Sequence, residues 1–190
     1  GNTRDTLYID VINDPIDEPR QNIILTLKDP INASIGVKSM HTVNINDDDP
    51  PPYVNIDNEK GSGLESDTSQ FIAYSLSSHS EKEVRVNYRV STYGTTSKKN
   101  SDYLLENGTM VFPAGLPGKS GIKFKVIDDV IDEYDELLII NLIGEPENAT
   151  MGSMTRYTYT IIDNDDRPTL EFSGDDHGNE FNGATKIKLG

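Results

Sequence analysis

Antiparallel β-sandwiches repeated in tandem are the fold class that this chain predicts, and three observations predict it. Short apolar runs alternate with polar residues at a period of two. No segment sustains a helical period. A long stretch of sequence recurs further along at a spacing of one domain. Side chains that point in turn to the two faces of a half-buried strand produce the first pattern, and Gly-, Asn-, Asp- and Ser-rich turns punctuate it.

The recurrence sets the units. "VINDPIDEPRQNIILTLKDPINASIG" (11–36) aligns with "VIDDVIDEYDELLIINLIGEPENATMG" (126–152). Asp14 matches Asp129, an offset of 129 − 14 = 115, and Gly36 matches Gly152, an offset of 152 − 36 = 116, so one residue is inserted near Gly144. The match continues from "HTVNINDDD" (41–49) to "YTYTIIDNDD" (157–166). A repeat of this length is a domain and not a solenoid unit of about 20–50 residues. Residues 1–49 therefore read as the later half of one repeat, 50–166 as a complete repeat, and 167–190 as the opening of a third. The prolines at 50–52 favour a stiff, extended join with almost no linker.

Within the complete repeat, Ile72, Tyr74 and Leu76 mark one strand, and Val84, Val86, Tyr88 and Val90 alternate with polar residues in the next. "GSG" (61–63) precedes no phosphate-loop lysine and opens no helix, and reads as a flexible turn. "MVF" (110–112) is a short strand, and Ile122, Phe124 and Val126 alternate with lysines. "LLIINLI" (137–143) is apolar without interruption, as a central strand is, and Tyr157, Tyr159 and Ile161 close the unit. Seven or so strands of this kind make a sandwich. The half-repeat at 1–49 is expected to add about three, and 167–190 one or two, leaving open edges that neighbouring chains could complete.

Composition removes several functions. The chain has 190 residues, 32 acidic against 17 basic, and a formal charge of −15, the wrong sign for phosphate neutralisation, so no nucleic-acid partner is predicted. No stretch approaches eighteen consecutive apolar residues, so no direct membrane insertion is predicted. There is no cysteine, which removes disulfides, thiol catalysis and thiolate zinc sites.

"VSTYGTTSKKNSDYLLENGTMVFPAGLPGKSGIKFKVIDD" (90–129), followed by "DEYDELLIINLIGEPENATMG" and "YTIIDNDD", resembles the Calx-β domain. The order carries the likeness: a strand, Gly-Thr-Thr, a Ser-Asp-Tyr step, Gly-Thr-x-x-Phe-x-x-Gly, a charged strand ending Ile-Asp-Asp, and a terminal Ile-x-Asp-x-Asp. The resemblance implies an immunoglobulin-like sandwich. Such domains occur as tandem modules of large bacterial surface proteins and animal matrix proteins, and as calcium sensors of sodium–calcium exchangers. Many hold calcium in the loops where acidic strand ends gather.

"VIDDVIDEYDE" (126–136) puts six carboxylates into eleven residues. Two carboxylates about 4 Å apart repel by roughly 4 kcal/mol at an effective dielectric of about 20, so a cluster needs spreading, protonation or a cation. Calcium takes about 6–8 oxygen ligands at about 2.3–2.6 Å in loose geometry and suits carboxylates from several loops. Zinc wants His or Cys, and the three histidines, His41, His79 and His177, are scattered. On the family pattern the calcium ligands are Glu65, Asp102, Asp128, Asp129, Asp163 and Asp165, with Glu106 an additional candidate. Asp132, Glu133, Asp135 and Glu136 read as solvated edge or hairpin residues. The first half-repeat matches with Asp14, Asp47 and Asp49, but Asn13 stands where the second copy has Asp128. In the third unit Glu180 is the counterpart of Glu65.

The competing reading is that these acids are solvent-exposed turn residues, since Asp and Asn suit turns. "DNDD" lacks the glycine and the twelfth-position glutamate of an EF-hand. Paired carboxylates also serve glycosidases, but no aromatic cleft is predicted here, and no histidine is placed as a triad partner. Asn32, Asn107 and Asn148 open N-glycosylation sequons, two of them at equivalent turns. Most of the strand tyrosines read as core.

The expected function is non-enzymatic: a tandem segment of an extracellular or cell-surface protein of adhesin or stalk type. Its partners are Ca2+ and the neighbouring repeats, with calcium stiffening each junction. A regulatory calcium sensor and an acidic spacer that binds no ion are the alternatives.

Overall fold

The computed structural model describes residues 4–116 and 118–172. All the regular structure there is β. The first sheet is a two-stranded hairpin of β1 (Gln21–Thr26) and β2 (Met40–Ile45). A sandwich follows, built from β3 (Tyr53–Ile56), β4 (Lys60–Leu64), β5 (Ser69–Leu76), β6 (Val84–Val90), β7 (Tyr103–Leu104), β8 (Gly108–Phe112), β9 (Lys119–Val126), β10 (Glu136–Glu147), β11 (Thr150–Met151) and β12 (Arg156–Ile162). One sheet has the order β4-β12-β10-β6-β8 and the other β11-β3-β5-β9-β7.

The alternating residues fill the space between the sheets. Ile72 and Tyr74 of β5, Val84 and Val86 of β6, Ile122 and Phe124 of β9, and Tyr159 and Ile161 of β12 are all buried. Each such side chain removed from water contributes about 1.5–3 kcal/mol before the entropy of ordering is subtracted. Phe124 meets Tyr159 edge-on across the core, with ring centroids 5.2 Å apart. The uninterrupted run in β10 has its own cause. β10 is the middle strand of its sheet, and the 91–97 loop runs on along it, with the Thr96 amide donating to the Leu137 carbonyl and the Leu137 amide to Thr96 Oγ1. Gly94 of "GTT", at φ +81°, sits against the Ile139 side chain. Leu138, Ile139 and Ile140 are therefore all buried, although they face alternate sides.

Two expectations change. "GSG" is not a turn: Gly61 and Gly63 lie inside β4, which pairs in parallel with β12. A Cβ at Gly61 would stand 2.0 Å from the Tyr157 hydroxyl, and one at Gly63 2.3 Å from that of Tyr159, so these positions are bare to admit the tyrosines. The early segment also contributes two strands among its described residues and not three.

The repeat is exact in register. Gln21 pairs with Ile45 in the hairpin as Glu136 pairs with Ile161 in the sandwich, at offsets of 136 − 21 = 115 and 161 − 45 = 116. Asn32 and Asn148, at equivalent turns, both take positive φ, 56° and 55°. The hairpin exposes Ile24 and Leu27, whose counterparts in the sandwich, Ile139 and Leu142, are buried.

Candidate metal centre

Four chain segments converge at one end of the sandwich. Because β4 runs parallel to β12, Glu65 leaves β4 level with the end of β12, and its amide donates to the Ile162 carbonyl at 3.1 Å. Asp163 and Asp165 follow directly. The Ser66 amide donates to Asn164 Oδ1, tying the two exits together. The third segment is the loop after β9, where Asp129 turns the chain by accepting from the Ile131 amide at 2.8 Å. The fourth is the turn before β7. There the Asp102 carboxylate accepts from the Lys98 amide, and the Ile127 amide donates to the Asp102 carbonyl.

Two groups of three carboxylates result. Glu65, Asp163 and Asp165 each offer an oxygen within 4.8 Å of the others, and so do Asp102, Glu133 and Glu136. Two oxygens on one calcium ion lie no more than about 5 Å apart, given bonds of about 2.3–2.6 Å, so both groups meet that spacing. Asp163 Oδ1 and Asp165 Oδ2 are buried without a hydrogen-bond partner. Acceptors turned away from water with no donor in the protein call for a partner from outside it. Glu65 is 5% exposed, and burial, with Asp163, Asp129, Glu133 and Asp165 around it, pushes its pKa up to about 7. Burial and a hydrogen bond with Asp102 push Glu136 up to about 7 as well. Asp165 is also raised, by partial desolvation and then by Asp163, Asp128 and Asp129. The donors are all carboxylates, which suits a hard cation and not zinc.

The site residues read from the sequence separate as follows. Glu65, Asp163 and Asp165 form one group, and Asp102 belongs to the other. Asp128 and Asp129 are exposed but near enough to act electrostatically on these groups. Glu106 stands outside both and is paired with Lys99 at 2.5 Å. Glu133 and Glu136 were expected to be solvated, yet they sit beside Asp102. The reason is local: Leu137 is tethered to Thr96 and Ser97, which brings the start of β10 against the 98–102 turn. Glu180 and His177 lie outside the described residues.

At the hairpin the equivalent acids have a different environment. Asp17, 3% exposed, accepts from Lys82 Nζ at 2.7 Å and from Ser80 Oγ at 2.8 Å, and Lys82 Nζ also lies 3.5 Å from Asp47. The Glu81 amide donates to the Asp17 carbonyl at 2.9 Å. Asp49 is raised by partial desolvation and then by Asp47, Asp48, Asp14 and Asp17, which places Asp14 and Asp49 near the same cluster. Neither Asp17 nor Lys82 stands out in the sequence, because the pair joins residues of two different repeats.

Comparison with known proteins identifies the fold and the family. Among solved structures, the apo-form Calx CBD1 domain is similar at 21% identity and TM-score 0.54, over 60% of this chain and 99% of that one. CBD12 from CALX1.2 is similar at 20% identity and TM-score 0.55, over 64% of this chain, which spans about half of that structure (49%). The Calx CBD2 domain is similar at 15% identity and TM-score 0.51, over 57% of this chain and 85% of that one. These likenesses show the fold. A search of curated proteins finds no match. The family model of the Calx-beta domain matches residues 1–49 and again 47–166. The chain therefore belongs to the Calx-beta domain family.

Proposed function

We propose that this chain is a non-enzymatic, calcium-binding segment of tandem repeats in an extracellular or cell-surface protein of stalk or adhesin type. One observation carries the calcium reading: Glu65, Asp163 and Asp165 converge from two strand ends, with buried oxygens of both aspartates unpartnered. A hard divalent cation removes both the orphaned acceptors and the repulsion. Glu65, Asp163 and Asp165 would hold one ion, with Asp102, Glu133 and Glu136 as a second set of donors and Asp128 and Asp129 adding negative field. Binding stabilises the fold by mass action, about 2.7 kcal/mol at a hundred times Kd.

The stalk reading rests on the two consecutive family matches, which overlap at residues 47–49, and on acids gathered where one unit meets the next. Under it, 1–49, 50–166 and 167–190 are successive units, and neighbouring repeats are the partners. A regulatory sensor is the second reading, favoured by the likeness to the calcium binding domain CBD12 of CALX1.1. Affinity separates them: a sensor binds at about 10⁻⁷–10⁻⁵ M and an extracellular module at about 10⁻⁴–10⁻³ M. Titrating calcium into the metal-free chain while following Tm tests the proposal. A rise in Tm that saturates supports it, and an unchanged Tm at millimolar calcium removes the ion from the function.

A further inference from the structure

The acids at the hairpin end are not simply a weaker copy of those at the far end. Three features set them apart. Asp17 is buried and both its oxygens are served, one by Lys82 and the other by Ser80. The contact is made by backbone as well, through the Glu81 amide to the Asp17 carbonyl and a parallel bridge between Asp17 and Ser80. The ammonium also reaches Asp47, the counterpart of Asp163 at an offset of 163 − 47 = 116. Where Asp163 carries an orphaned oxygen, Asp47 faces a lysine.

We propose that the 80–82 turn is a docking surface for the acidic end of the preceding repeat, with Lys82 as its built-in counter-cation, so that this joint closes without a metal ion. The partner is defined by its chemistry: two aspartates, Asp17 and Asp47, on neighbouring loops of a Calx-beta unit, presented to one ammonium and one hydroxyl. Ser80 Oγ accepts from the Lys82 amide at 3.1 Å while donating to Asp17, which fixes its direction. The ammonium makes two charge-assisted contacts from a side chain 28% exposed, so solvent screens it less than it would a surface pair. Lysine cannot leave as a dissociable ion does, so the joint is insensitive to the calcium concentration. The inference does not depend on the calcium reading of the other end.

Hydrogen exchange on the whole chain tests it in calcium-free buffer with chelator. The Glu81 amide, bonded to Asp17, reports the joint, and the Ile140 amide in β10 reports the sandwich. In the wild type, adding calcium should leave Glu81 protection unchanged. Lys82→Gln should speed Glu81 exchange about tenfold or more while Ile140 stays protected, and Lys82→Arg should retain most of the protection. Asp17→Asn, made separately, should give the same loss from the other partner. The proposal is overturned if wild-type Glu81 loses protection on chelation, or if Lys82→Gln and Asp17→Asn both leave it in place.

Discussion

The two acidic ends of this chain are built from one sequence pattern and solve its electrostatic problem differently. At the far end of the sandwich, Glu65, Asp163 and Asp165 are crowded by other carboxylates among the described residues, and Glu65 is driven up to about 7. At the hairpin end, Asp17 and Asp47 share Lys82, whose own pKa is raised, chiefly by its hydrogen bond to Asp17. Crowded negative charge therefore does not by itself define a metal site. Under the two proposals above, what decides is whether the neighbouring repeat supplies a cation, as Lys82 does for Asp17 and Asp47.

The largest effect expected from breaking this contrast is at the far end. Asp163→Asn should weaken calcium binding by about 10- to 100-fold, measured by isothermal titration, because it removes a charged donor. Lys82→Gln should leave that affinity within a factor of about two, the ends being separate.

Asp17→Asn comes next. It leaves Lys82 without its closest partner and should destabilise the hairpin joint by about 1–3 kcal/mol, less than a fully buried pair because the ammonium is partly solvated. The readout is an earlier unfolding step of the hairpin, with the main transition unmoved.

A pH titration sharpens the contrast further. The folded pKa of Glu65 lies above its ordinary value of 4.5, at about 7, so its contribution to the metal-free fold is complete below pH 4.5 and is lost as pH rises through 7. Metal-free Tm should fall across that window. Calcium competes with the same proton, so apparent affinity should be about tenfold weaker at pH 6 than at pH 8, with proton release on binding. The smallest effect belongs to Glu106→Gln. Its carboxylate is exposed and paired with Lys99, so calcium affinity and Tm should change little.

Much of the fold was legible because period-two alternation follows directly from the pleat. β5, β6, β9 and β12 stand where Ile72, Val84, Ile122 and Tyr157 begin their patterns. β4 was not legible. Its glycines have no side chains to alternate, and their purpose lies in Tyr157 and Tyr159, about a hundred residues away in the chain. The site divides in the same way. Asp163 and Asp165 follow β12, a strand that the alternation marks, whereas Glu65 follows β4 and was read from the family pattern alone. Glu133 and Glu136 needed a tether, Leu137 to Thr96, that no local pattern announces. Lys82 and Asp17 are recognisable only once two repeats touch.

The parallel pairing of β4 with β12 has a mechanical consequence. The chain reaches β4 only after β3, which is held in the other sheet, and leaves β12 toward residue 166, so once β3 is drawn off, tension along the string of repeats pulls β4 and β12 in opposite directions along their length. The rungs between Lys60 and Leu64 and their partners from Thr158 to Ile162 are then loaded together in shear, and none can be unzipped ahead of the rest.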